Sequence, residues 1–149
     1  MPAALPPTYR SIEQISQLVH AFEAGSLAPS QFNHHAHLTV ALWYLTRLPF
    51  AEATATMRSN VQRFAAMHQQ NQLYHETITM FWMRLLRHVL DTADPNELLP
   101  DVVYRVICRF GSMQPFFRHY SRDRAFSAEA RQQWVDPDLY PMPFCDPSA

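Results

Sequence analysis

The 149-residue chain carries twelve basic residues, all of them arginine, thirteen acidic ones and eight histidines, for a formal charge of −1. Without lysine there is no Schiff-base chemistry, and two glycines, Gly25 and Gly111, cannot build a P-loop or a dinucleotide-binding turn. Near-neutral charge leaves no nucleic-acid footprint, so histidine, carboxylate and arginine chemistry remains.

The first predicted helix runs from about Ser11 to Ala24. Ser11 and Gln14 form a capping box, Gly25 is a natural stop, and Ile12, Ile15, Leu18, Val19 and Phe22 make one apolar stripe. A second begins after Asn33 as N-cap and extends from His34 to Leu48, with Leu38, Ala41, Leu42 and Leu45 facing inward. The third spans about Pro49 to His68, with proline in its first turn and a stripe of Phe50, Met57, Val61, Phe64 and Ala65. The fourth, from about Tyr74 to Thr92, is apolar over more than one face and is expected to be central. Asp94-Pro95-Asn96-Glu97 reads as the start of a fifth helix, which Pro100 kinks or splits and Gly111 closes. Beyond Pro115 a short helical turn is expected, then another begun by Ser127.

No segment alternates with period two. The expected fold is therefore all-α: a single domain of about five helices over 1–149, with its core in about 10–135. Seven of the twelve prolines lie in residues 1–7 or 137–147, so residues 1–9 and 136–149 read as extended tails. Two cysteines, no signal-peptide pattern and no apolar run of spanning length point to a cytoplasmic protein without a membrane partner. Oligomeric state is not encoded in any pattern we recognise.

His34 and His37 lie three residues apart and share the core face of their helix, whereas His35 lies about 100° away and is expected to be exposed. His75 shares a face with Ile78, Trp82 and Val89, and Glu76 is the one carboxylate at the head of an intensely apolar segment. Short connections make successive helices antiparallel, which places the starts of the second and fourth helices at one end of the bundle. His34, His37, His75 and Glu76 are thereby expected to cluster. Neutral imidazoles and a carboxylate suit a divalent transition metal, zinc or non-haem iron. Without metal, Glu76 or His75 is the candidate general base, with the Tyr74 hydroxyl beside them.

Arg118 and His119, within Arg118-His119-Tyr120-Ser121-Arg122-Asp123-Arg124, are candidates for holding a substrate carboxylate or phosphate; the competing reading is local pairing with Asp123, Asp136 or Asp138. Trp82, with Met80, Phe81 and Met83, belongs either to the core or to a substrate-cavity wall. His20, His68 and His88 read as solvated, and Cys108 is expected near the apolar face of the fifth helix.

Phe32-Asn33-His34-His35-Ala36-His37-Leu38 and Tyr74-His75-Glu76-Thr77 resemble an uncharacterised group of short bacterial, all-helical proteins. That group carries Phe-x-His-x-x-His-(Leu/Val) and Tyr-His-Glu-Thr segments at similar separation. Its third block resembles Arg118-His119-Tyr120-Ser121 with Ser127 to Arg131. The resemblance implies that His34 and His37, not His35, are the pattern positions, and it implies no activity. The His-x-x-x-His helix of DinB-type bundles and the Glu-x-x-His repeats of ferritin-like ones have no counterpart here.

The expectation is a small, metal-dependent helical enzyme acting on a small polar or anionic molecule by hydrolytic or other polar chemistry, with iron-dependent oxidation second. The alternative is a non-catalytic helical module that binds a small molecule or protein partner, with structural histidines.

Overall fold

A computed structural model describes residues 9–142. They form helices α1 (Ile12–Ala24), α2 (His34–Arg47), α3 (Phe50–Met67), α4 (Glu76–Asp91) and α5 (Leu99–Phe110), followed by three short ones, α6 (Gln114–His119), α7 (Arg122–Ala125) and α8 (Ala128–Gln132). No strand occurs among the described residues. Residues 1–8 and 143–149, which include most of the expected N-terminal tail, half of the C-terminal one and Cys145, lie outside them.

Local signals set most helix ends. Ser11 and Gln14 exchange the reciprocal bonds of a capping box, and Asn33 Oδ1 accepts from the Ala36 amide at 3.0 Å. Gly25 terminates α1 at φ 74°, a left-handed conformation that glycine adopts without steric penalty. Gly111 also follows a helix, but its φ is −72°. It is required by close approach: a Cβ there would lie 2.4 Å from the Ile107 carbonyl and 2.8 Å from the His35 ring.

Three boundaries differ from expectation. Asp94-Pro95-Asn96-Glu97 forms a turn, closed by Asn96 donating to Asp94 Oδ1 and Glu97 to the Asp94 carbonyl, rather than a helix start. Pro100 neither kinks nor splits α5; it sits in the first turn, where its missing N–H leaves no bond unmade. Ser121 caps the additional helix α7, while Ser127 caps α8 as expected.

The central helix is α2, not α4. It packs against α1, α3, α4 and α5, and buries residues on nearly every side, including Ala36, Leu38, Val40, Leu42 and Leu45. Its only charged residue is Arg47, at the last position, and Ala36 and Ala41 admit close neighbours. In α4, by contrast, Arg84, Arg87 and His88 interrupt one face.

The start of α4 anchors the C-terminal part of the chain. Thr77, fully buried, donates to the Gln133 carbonyl at 2.8 Å and accepts from the Val135 amide at 3.2 Å. Tyr120, also fully buried, donates to the Val135 carbonyl at 2.7 Å. Residues 136–142 are non-helical, as expected of a tail, yet Met142 is only 3 % exposed and belongs to the core.

Thr77→Val keeps the shape but strands the buried Val135 amide and removes the bond to the Gln133 carbonyl, and is expected to destabilise by about 1–3 kcal/mol. Urea denaturation checks this against Thr46→Val, whose exposed hydroxyl has only a local bond.

Candidate functional site

Four consecutive residues, Tyr74 to Thr77, turn the chain into α4, and each has a different task. His75 is the N-cap: its backbone is extended, and Nδ1 accepts from the Ile78 amide at 3.1 Å. With Nδ1 accepting, the ring proton sits on Nε2, which donates to the Ala125 carbonyl at the end of α7. Both nitrogens of this buried imidazole are therefore committed to backbone. Glu76 turns the other way. Arg58 grips it with two bonds, Nε to Oε1 at 2.9 Å and Nη2 to Oε2 at 2.7 Å, and Tyr74 donates to Oε1 at 2.6 Å. Burial pushes the Glu76 carboxyl up, but the bonds from Arg58 and Tyr74 prevail and leave it below the ordinary carboxylate range.

His34, His37 and His75 do meet. They line one cleft of about 310 Å³ between the starts of α2 and α4 and the second half of α3. Phe32, Phe64, Val61, Leu73, Tyr74 and Ile78 supply its apolar walls; Asn33, Gln70 and Thr79 add polar atoms. No aspartate, glutamate or arginine lines it, and Glu76 faces a separate groove with Arg58.

The three imidazoles are held neutral. Burial lowers the His34 and His75 pKa values, in each case against the effect of a backbone carbonyl bond. Burial, and then the proximity of His34, drives His37 down to about 4. His34 Nε2 donates to the Phe110 carbonyl at 2.9 Å, and its ring lies edge-on to Trp82. His37 stands apart: its Nε2 is buried with no hydrogen-bond partner, and its ring meets Phe32 edge to face.

The other candidates lie elsewhere. Trp82 is 1 % exposed, a core residue outside the cleft lining, with a buried Nε1 that also lacks a partner. Arg118 is exposed, and His119 bonds the Tyr140 carbonyl through Nδ1 at 2.9 Å; neither lines the cleft. Nearby, Arg122 stacks on Phe117 and Arg124 donates to the Asp136 carbonyl. Neither reading of this segment anticipated backbone and ring partners.

Two histidines expected at the surface are tertiary struts. His35 Nε2 bonds the Gly111 carbonyl at 3.2 Å, and His68 Nε2 bonds the Gly25 carbonyl at 3.2 Å, with its ring against Phe64. Cys108 is exposed rather than on the apolar face. Arg58 is the polar residue that sequence reading passed over. Its only signal was a lone arginine one residue after Met57 of the apolar stripe.

The residues do not fit a metal ion as they stand. Among the described residues no group of three or more histidine, cysteine, aspartate or glutamate side chains is placed to hold one. His75 has no free nitrogen, and Glu76 is turned away to Arg58.

Comparison with known protein families, curated proteins and solved structures gives no match for this chain.

An imidazole held below its ordinary value of 6.5 binds its proton in the unfolded chain before it does in the folded one. Stability is then fully present above about 6.5 and is lost as pH falls towards 4. His37→Leu is expected to flatten that slope, leaving the smaller contributions of His34 and His75. Urea titrations at several pH values check this, and an unchanged slope in the variant would contradict the assignment.

Proposed function

We propose that this protein is a helical binding module for a small, uncharged, largely apolar molecule, which enters the cleft between α2, α3 and α4 and meets His37. The observation that carries the reading is that His37, whose Nε2 is buried without a partner, lines a largely apolar, uncharged cleft. A buried polar atom without a partner costs about 1–3 kcal/mol, and small-molecule sites combine apolar walls with a few polar anchors. A volume of about 310 Å³ suits a single ring system or a short chain. The lining favours a neutral ligand over the anionic one expected from the helix starts. Asn33 and His75 already occupy amide groups there, and no guanidinium faces the cleft.

This is the non-catalytic reading of the histidine pattern. The metal-dependent enzyme has less support, because its ligand set would require His75 to release a cap or a carbonyl and Glu76 to release Arg58.

Titration of the purified protein with indole, followed through backbone amide shifts, tests the proposal. Saturable shifts are expected around Phe32, His37 and Ile78, and Ile78→Trp, which fills the cleft, is expected to abolish them. Parallel titrations with zinc and ferrous iron are expected to give no stoichiometric binding. Absence of saturable indole binding, or one equivalent of metal bound through His34 and His37, would overturn it.

A further inference from the structure

On the other side of Tyr74 from the apolar cleft lies a polar groove of about 660 Å³. We propose that this groove, bounded by Arg58, Arg131 and the carboxamides of Gln62, Asn71, Gln72 and Gln132, is an anion site that takes a carboxylate or phosphate group of a small molecule. It is a second site, independent of the cleft.

Charge balance is the first argument. The groove contains two guanidinium groups and one carboxylate, Glu76. Arg58 engages both oxygens of Glu76 and so matches its charge, and Tyr74 takes a further lone pair of Oε1. The charge of Arg131 is left over. Arg131, half-buried on α8, is held by a 3.3 Å bond from Nη1 to the Gln72 carbonyl and forms no ion pair among the described residues.

Donor supply is the second. Four primary amides offer N–H groups without adding charge, and a guanidinium presents a planar fork that matches carboxylate and phosphate oxygens. Arg131 is also pinned at one nitrogen, so ordering it for a ligand sacrifices less side-chain freedom than an unrestrained arginine would lose. The elements that carry these residues are fixed relative to one another. The start of α4 binds the backbone at 125, 133 and 135, which brackets α8 and so positions Arg131 beside the Asn71–Leu73 turn.

Inorganic phosphate and acetate, titrated separately at constant ionic strength and followed through side-chain amide resonances, test the site. Saturable shifts are expected at Gln62, Gln72 and Gln132, and the tighter of the two anions identifies the headgroup. Arg131→Gln is expected to weaken binding roughly tenfold, and the exposed Arg118→Gln to leave it unchanged. Arg131→Lys keeps the charge but loses the fork, and is expected to fall between; it also serves if Arg131→Gln melts early by circular dichroism. Shifts that rise linearly without saturation, that centre on Arg118 to Arg124, or that persist undiminished in both Arg131 variants would overturn the proposal.

Discussion

Carbonyl oxygens left over at helix ends are tied in this protein by imidazole N–H groups from distant parts of the chain. A helix C-terminus has carbonyls with no intrahelical partner. His34 and His35 take those of Phe110 and Gly111 at the end of α5, His68 takes Gly25 at the end of α1, and His75 takes Ala125 at the end of α7. A carbonyl only accepts, so in each case Nε2 carries the proton. A neutral imidazole suits this task because it brings a directed donor on a rigid ring without the desolvation penalty of a buried charge. Half of the eight histidines are such struts.

Those struts also make the cleft. His34 joins α2 to α5 while His75 joins α4 to α7, and the starts of α2 and α4 are thereby fixed on either side of the space into which His37 faces. With His34 and His75 committed to backbone, His37 is the imidazole of the lining whose Nε2 lacks a partner. Because burial keeps all three rings neutral and Glu76 is drawn away by Arg58, the cleft carries no formal charge near pH 7. It is a largely apolar pocket with a few neutral polar groups in its lining.

The features readable in the sequence were those set by neighbours a few residues apart. The Ser11–Gln14 box, the Asn33 and Ser127 caps and the Gly25 stop depend on local backbone geometry, and all are found. So is the meeting of His34, His37 and His75, since short connections constrain helix direction. What depended on tertiary partners was not readable. The grip of Arg58 on Glu76 spans eighteen residues and follows from how α3 lies on α4. His35 on α2 and His68 just past the end of α3 occupy polar positions, and only the arrival of Gly111 and Gly25 makes them half-buried. Centrality passed to α2 because small residues and a lack of charge before Arg47 let four helices pack around it, whereas Arg84, Arg87 and His88 interrupt one face of α4. Asp94-Pro95 and Leu99-Pro100 are equally good start signals by sequence; in the fold the first closes a turn and the second opens α5.

The strut network rests most directly on the protonation and tautomer of the imidazoles, which long-range proton–nitrogen correlation spectra of the histidine rings report. At pH 8 His34, His35, His68 and His75 are expected as Nε2–H tautomers, and at pH 6.5, where a solvated imidazole is about half protonated, His75 is expected to be less protonated than that. Nδ1–H tautomers at these positions, or a His75 ring half protonated at that pH, would show imidazoles that are not bound to backbone and would contradict it.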